Sequence, residues 1–260
     1  MTAGTRRLPP GRYRFRHVAR MEWVKLASLR STWATLGITI AAAAGIAVLA
    51  AAGTKSPSQD LTNSMMTGMF AGVLLAGVLG VLAVTGEYTS GTIRATLAAA
   101  PRRPLVLAAK AAVFGVTTLI TGQAAAFLAF FAGRTALGHG IAAPALGAPG
   151  VLRTIVLSGA SLALIGLLGL GLGAIIRHTA AAVTVLVSVV YAGELFVGQL
   201  DRTIDAYLPA YIVGDSLGGH TCGPGAVACP LPAWAGMSVL AAYAAAALLI
   251  GGCILAWRDA

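Results

Sequence analysis

Chemistry in this chain would have to come from very few polar side chains. Only 10% of its 260 residues are Asp, Glu, Lys or Arg, and its four histidines lie outside every long apolar run. No buried Ser-His or His-metal constellation can therefore be assembled inside a membrane. The phosphate-binding pattern G-x-x-x-x-G-K-S/T is also missing from the sequence. We expect no catalytic residue, no metal site and no cofactor bound by this chain.

Glu194 is the one carboxylate that falls inside an apolar run, which makes it a candidate intramembrane polar site. A charge in the middle of a bilayer costs about 2.5 to 3.5 kcal/mol or more, so such a residue is often an ion or proton site. Glu194 is also only five residues from Gln199, where the run ends. Its side chain can therefore reach the membrane interface or pair with Arg202. An ion or proton site and this interfacial placement both stay open as interpretations.

Cys222 and Cys229 enclose six residues in a Gly- and Pro-rich loop. We predict that the loop is external, where disulfides form, and a bridge there would add about 2 to 3 kcal/mol of stability. Two free or metal-binding thiols are the alternative, although His220 alone is too little to complete a zinc site.

The segment Glu87–Leu97, called the connector below, reads EYTSGTIRATL and joins two apolar runs. At helical spacing, Tyr88, Gly91 or Thr92, and Ala95 share one stripe, while Ile93 and Leu97 share another. The prolines of Pro101-Arg102-Arg103-Pro104 would end such a helix. The pattern predicts a short helix with a mixed polar and apolar face, which is typical of a docking surface. A plain solvated loop is the alternative.

Six apolar runs of about twenty residues must position these side chains. Twenty helical residues span roughly 30 Å, the thickness of the hydrocarbon core. With 58% hydrophobic residues, the sequence predicts an all-α integral membrane protein with six transmembrane helices. Residues 1–32 form a basic N-terminal segment, 33–257 the transmembrane domain and 258–260 a tail. The predicted spans are about 33–52, 65–86, 105–131, 154–176, 179–199 and 234–257.

The net charge of +10 is distributed asymmetrically. Fourteen Lys and Arg residues lie at one end of the predicted spans and four at the other, so the positive-inside rule places both termini in the cytoplasm of a multi-pass plasma-membrane protein. Membrane lipids with anionic headgroups are the expected counter-charge, and no nucleic acid is expected as a partner. Lys110, one turn inside the third span, is expected to snorkel towards those headgroups.

Three further features concern the arrangement of the spans. Arg177-His178-Thr179 is so short that spans four and five should form a tight hairpin. The half-apolar stretch 206–213 predicts an interfacial or re-entrant segment between spans five and six, with a surface loop as the alternative. Small residues in span four favour close helix packing, although compositional bias is an equal explanation. These residues are Gly166, Gly169, Gly171 and Gly173.

Two stretches resemble the permease subunits of the ABC-2 type transporter family. The first is the E-Y-x-x-G-T-I-R-x-T-L run from Glu87 to Leu97 after the second of six spans. The second is Glu22-Trp23-Val24-Lys25-Leu26, which is similar to an E-x-x-K-L segment before the first span. Glu22 and Lys25 fall inside an otherwise apolar helical arc, so we expect them to pair with each other or with the connector.

This resemblance implies an N-terminal interfacial helix that contains Glu22, Trp23 and Lys25. It also implies a cytoplasmic coupling helix that contacts a separate ABC ATPase subunit, in which ATP and Mg would be bound. The implied contact residues are Glu87, Tyr88, Gly91, Thr92, Ile93, Arg94, Thr96 and Leu97. The chain would form a homodimer or pair with a similar permease, and export is favoured.

Two other classes of function remain open from the sequence. A secondary transporter or channel would use Glu194 as its ion site, but such folds usually carry several intramembrane polar residues. A non-transporting membrane anchor or sensor would recruit a cytoplasmic partner through the same connector.

Overall fold

The structure is a computed structural model that describes residues 15–54, 61–93, 96, 103–137, 142–192, 207–216 and 232–257. The described residues are helical apart from short turns and the non-helical segment 142–150, and none of them is in a β-strand. The helices are α1 (Phe15–Ser28), α2 (Arg30–Gly53), α3 (Leu61–Met66), α4 (Met69–Thr89), α5 (Arg103–Ala136), α6 (Val151–Ile176), α7 (Thr179–Val187), α8 (Pro209–Ser216) and α9 (Ala233–Trp257).

Among the described residues, five helical segments are long and apolar enough to cross a membrane, so the chain is an all-α, multi-pass membrane protein. They are Arg30–Gly53, Leu61–Thr89, Arg103–Ala136, Val151–Ile176 and Ala233–Trp257. Their bounds agree with the predicted spans to within a few residues. The predicted fifth span begins as the shorter apolar helix Thr179–Tyr191, and its remainder lies outside the described residues. Six spans therefore stay a prediction.

Several threonine hydroxyls within these helices are satisfied by the backbone of their own helix. The hydroxyls of Thr117, Thr118 and Thr121 donate to the carbonyl oxygens of the residues four positions earlier, at 2.9 Å in each case. In lipid no water is available to do this, so such bonds let Thr occupy a membrane helix at little cost.

Helix α6 lies at the centre of the bundle and packs along α4, α5 and α9. Close approach of the backbones makes this possible. A Cβ atom added at Gly80 of α4 would overlap the carbonyl oxygen of Gly166 in α6, and one added at Gly169 would overlap that of Gly77. The predicted role of the span-four glycines in close packing is confirmed, because small residues replace the hydrophobic drive that lipid does not supply.

One end of the bundle, called the connector end below, holds the last turn of α4 and the first turns of α5. The hairpin between α6 and α7 also lies there and is as tight as predicted, with only Arg177 and His178 between the two helices. Arg177 adopts the left-handed conformation, at φ 60°, and its amide donates to the carbonyl of Gly173. The Nδ1 atom of His178 accepts from the amide of Ala181 and so caps α7.

Near the opposite end, α7 continues into a π-helical turn, Ser188–Ala192. The hydroxyl of Tyr191 in this turn donates to the carbonyl of Phe70 at 3.0 Å. The short helix α8 packs against this turn and against α6 and α9. It overlaps the stretch that the sequence predicted as interfacial or re-entrant, but lies three residues further along the chain.

Replacing Gly80 with Ala should destabilise the bundle because the new methyl group would force α4 away from the Gly166 carbonyl. Overpacking of this kind costs about 1 to 3 kcal/mol. Unfolding in mixed detergent micelles, followed by tryptophan fluorescence, measures the loss. Gly45→Ala is the matched control, because a Cβ at Gly45 would meet no atom within 4 Å. Equal stability of the two variants would contradict the packing argument.

Candidate functional site

Four charged side chains from three helices meet at the connector end. Glu22 and Lys25 belong to α1, Glu87 to the last turn of α4 and Lys110 to α5. Lys25 Nζ lies 3.1 Å from Glu22 Oε1 and 3.1 Å from Glu87 Oε1. Lys110 Nζ lies 2.5 Å from Glu22 Oε2 and 2.8 Å from Glu87 Oε1. Each charge therefore has two partners of opposite sign, and we call the closed set the four-charge cluster.

Packing of α1 against α5 brings the cluster together. Val18 of α1 is buried against Val106 and Ala109, so the first turns of α5 lie along this helix. Glu22 is one turn after Val18, and Lys110 directly follows Ala109 in the sequence. The apolar contact thus fixes the two helices at a separation that a Glu and a Lys side chain bridge.

Glu22 and Lys110 are buried, so their charges require partners of opposite sign. Only 3% of the Glu22 side chain and 11% of the Lys110 side chain are exposed. An unpaired charge at such a position costs several kcal/mol, whereas two carboxylates and two ammonium groups within hydrogen-bonding distance compensate one another. The expectation that Glu22 and Lys25 pair with each other or with the connector is confirmed, since they bind each other and Lys25 also binds Glu87 of the connector.

The prediction that Lys110 snorkels to lipid headgroups is wrong. Its ammonium group points into the cluster and binds both carboxylates instead. A headgroup would offer one exposed, water-screened partner, while Glu22 and Glu87 offer two partners that water barely reaches.

Lys25 also ties the cluster to the interior of the connector. Its third hydrogen bond goes to the hydroxyl of Thr96 at 2.9 Å, and that hydroxyl donates to the carbonyl of Thr92 at 3.1 Å. Thr92, Ile93 and Thr96 have helical backbone, and the residues around Thr96 lie outside the described part of the chain. The ammonium of Lys25 is thereby shared among α1, α4 and the connector.

A second set of contacts joins the same turn of α4 to the opposite side of the bundle. The guanidinium of Arg177 lies over the ring of Tyr88, 5.4 Å from its centroid. Arg177 also donates to the carbonyl of Ile254 at 3.4 Å, in the last turn of α9. One turn earlier, the Thr85 hydroxyl accepts from Thr179 at 3.0 Å. Glu87 and Tyr88, adjacent in sequence, therefore connect two different sets of helices.

The predicted coupling residues separate into an exposed and a buried group. Gly91 and Thr92 are exposed, together with the neighbouring Ser90, whereas Ile93 and Thr96 are buried at 8% and 5% exposure. Glu87 faces the cluster rather than solvent. In the predicted interfacial helix Trp23 is 47% exposed. The remaining predicted site residues lie outside the described part of the chain; these are Arg94, Leu97, Glu194, Cys222 and Cys229.

Sequence reasoning missed two contributors, Lys110 as a cluster member and Arg177 as the partner of Tyr88. For Lys110 the available signal was that each Lys and Glu near the connector end has a potential partner of opposite charge on another helix, but the sequence does not say which partner. The Lys and Glu pattern contains no signal for Arg177. Within the described ranges, no group of three or more His, Cys, Asp or Glu side chains is arranged as metal ligands would be.

A comparison with protein-family models finds no match to this sequence, and a comparison with curated proteins finds none either. The function of the four-charge cluster and the connector is therefore inferred from their own geometry. The four-charge cluster joins three helices through charges that cannot be separated without large cost.

Removal of a balanced pair of charges from the cluster should cost less stability than the two single removals added together. Glu22→Gln and Lys110→Gln each leave an unbalanced buried charge and should lose about 3 to 5 kcal/mol of stability. The double variant leaves Lys25 paired with Glu87, so its loss should be smaller than the sum by at least about 1 kcal/mol. Unfolding in mixed micelles measures all three.

Arg20→Gln is the control for this cycle, since Arg20 is an exposed residue of the same helix. It should change stability by less than about 0.5 kcal/mol. Simple additivity of the two cluster substitutions would show that Glu22 and Lys110 do not interact.

Proposed function

We propose that this chain is the permease subunit of an ATP-binding cassette exporter, and that the connector couples it to a separate ATPase subunit. The observation that carries the proposal is the double linkage of Glu87 and Tyr88. Glu87 is held to α1 and α5, and Tyr88 contacts the hairpin between α6 and α7. A force applied to the connector would therefore reach most of the bundle directly.

The proposed mechanism follows from these contacts. Closure of the ATPase subunits on ATP displaces the connector, which carries the last turn of α4 with it. The four-charge cluster transmits the displacement to α1 and α5, since its charges cannot separate into lipid without losing their partners. Arg177 transmits it to the α6–α7 hairpin and to the end of α9. The spans exchange between two packings, and hydrolysis resets them.

The docking surface of the proposal is the exposed tip of the connector, Ser90, Gly91 and Thr92. Gly91 adopts φ 70°, a conformation that suits glycine and turns the chain sharply after α4. The hydroxyls of Ser90 and Thr92 lie 2.9 Å apart and hold this turn. A small, polar and ordered tip of this kind fits a groove on a partner protein.

Orientation and assembly belong to the same proposal. The excess of Lys and Arg at the connector end favours a cytoplasmic location of that end, in the plasma membrane. Helices α2 and α9 are largely exposed, with Ile38, Leu49, Leu249 and Ile250 each more than half exposed. Lipid and a second permease chain would cover these faces.

A secondary transporter or channel that uses Glu194 is the second candidate. Glu194→Gln separates the two classes: a loss of transport without a change in ATPase stimulation would favour an ion site. A non-transporting anchor would bind the ATPase but show no substrate-dependent stimulation of it.

Thr92→Arg should abolish co-purification of the chain with a co-expressed ABC ATPase subunit, because a large cation at the connector tip would block docking. The stimulation of ATPase activity should be lost as well. Both are measured on the co-expressed complex in nanodiscs. Thr135→Arg is the matched control, since Thr135 is also exposed but lies in the last turn of α5, away from the connector end.

Retention of the complex by Thr92→Arg and by Ser90→Arg would show that the ATPase does not dock at this tip. Loss of the complex in Thr135→Arg as well would point to a general folding defect, which thermal unfolding of the same samples detects.

A further inference from the structure

A cavity of about 660 Å³ lies beside the four-charge cluster. It is bounded by α1, by the first turns of α2, by the last turns of α4 and by the first turns of α5. Its volume is in the range of small-molecule binding sites, about 300 to 1,000 Å³. The cavity is therefore large enough to hold part of a lipid-like molecule.

One wall of the cavity is apolar. It is formed by residues of α4 and α5, namely Leu79, Leu82, Ala83, Val113 and Phe114. Leu82 is 45% exposed, and Leu29, which also lines the cavity, is 55% exposed. A ligand that covers this accessible apolar surface gains free energy from its burial, which favours a ligand with an apolar body.

The polar end of the cavity holds the four-charge cluster and the first turn of α2. All three N–H groups of Lys25 are in use, by Glu22, Glu87 and Thr96. Lys25 and Lys110 neutralise both carboxylates. Glu87 Oε2 has no partner among the described residues, but it is buried and does not reach a ligand in the cavity. The carboxylates therefore offer little to a cationic ligand.

Three donors at the polar end have no acceptor among the described residues. Thr32 lines the cavity and is only 6% exposed, yet its hydroxyl makes no hydrogen bond within the described part of the chain. That hydroxyl is not sealed by protein atoms, so it faces the cavity. The other two donors are the exposed hydroxyl of Ser31 and the third N–H of Lys110, whose first two N–H groups bind the carboxylates.

The start of α2 adds backbone donors to this set. Its N-cap residue, Leu29, provides no side-chain cap. The first amide groups of a helix have no acceptor within the helix, and they carry a partial positive charge. The nearby carbonyl groups of α1 are already occupied, since those of Lys25 and Ala27 accept from Ser28 and Trp33. Donors without acceptors thus surround one end of an apolar cavity.

We propose that this cavity binds an anionic membrane lipid, with its phosphate head between Lys110 and the start of α2 and an acyl chain along the apolar wall. A phosphate carries negative charge and accepts several hydrogen bonds, which matches the donors of Lys110, Thr32 and Ser31. An ammonium head would lie beside the ammonium group of Lys110 instead. The apolar wall favours the phosphate of a lipid over a free phosphate ion.

Lipid binding would extend the four-charge cluster to a fourth helix. The cluster contains side chains of α1, α4 and α5 but none of α2. A phosphate that accepts from both Lys110 and Thr32 would join the start of α2 to α5 at the connector end. The proposal concerns binding to this chain alone and requires neither an ATPase nor transport.

Octyl phosphate is the probe, and octylammonium is the matched ligand with the same chain and the opposite charge. Inorganic phosphate supplies the head without the chain. Titration calorimetry on the full chain in dodecyl maltoside micelles, corrected with empty micelles, should show saturable binding of octyl phosphate. The other two ligands should bind at least about tenfold more weakly.

Thr32→Val should weaken the binding of octyl phosphate about tenfold, because it removes the hydroxyl and keeps a similar shape. Thr32→Ser keeps the hydroxyl and should bind like the unchanged chain. Thr39→Val is the matched control in the same helix. Thr39 is also buried, but it does not line the cavity and its hydroxyl donates to the carbonyl of Thr35 at 2.8 Å.

Gly86→Leu should abolish the binding by filling the cavity. Gly86 lines the cavity, and a Cβ at this position would meet no atom within 4 Å, so the bundle need not move. Gly53→Leu is the control, because Gly53 is equally open but lies at the far end of α2.

Equal binding of octyl phosphate and octylammonium would overturn the anionic head. Inorganic phosphate that binds as tightly as octyl phosphate would overturn the lipid and indicate a site for a free anion. Unchanged binding of octyl phosphate by both Thr32→Val and Gly86→Leu would show that it does not bind in this cavity. None of these results depends on an ATPase, so they are distinct from a failure of connector docking, which the Thr92→Arg complex reports.

Discussion

A charge removed from water has to find an opposite charge or a hydrogen bond within a few ångströms, and the connector end of this protein is organised around that requirement. Glu22, Lys25, Glu87 and Lys110 satisfy it only together. Because each has two partners, a displacement of any one side chain disturbs two ion pairs. The cluster therefore couples the positions of three helices that are far apart in sequence.

The rest of the bundle is held by a different kind of contact. Between α4 and α6 the backbones approach so closely that Gly80 and Gly169 leave no room for a side chain. Such packing is short-ranged and tolerates little sliding, so α4 and α6 should behave as one rigid body. A displacement at the connector end would therefore reach the centre of the bundle through α4, because α4 and α6 do not slide past each other.

Hydropathy and helical length predicted five of the six spans to within a few residues, because lipid forces every backbone group into helical hydrogen bonds. The pairing of Glu22 and Lys25 was also predictable, since two charges inside an apolar arc must be neutralised locally. Lys110 was not, because snorkelling and pairing look identical in sequence, and its partner Glu22 is 88 residues away. The contact between Tyr88 and Arg177 depends on a left-handed residue at a helix end, where sequence pattern predicts glycine.

That left-handed residue has a thermodynamic consequence. For a side chain such as Arg, this backbone conformation costs about 1 to 2 kcal/mol relative to the right-handed one. The ring of Tyr88 and the carbonyl of Ile254 are the partners that offset this cost. A change in the conformation of the α6–α7 hairpin should therefore accompany a change in the position of Tyr88, and the reverse. Withdrawal of the aromatic ring would favour relaxation of the turn. The strained backbone conformation of Arg177 is therefore maintained by a contact from another helix, α4.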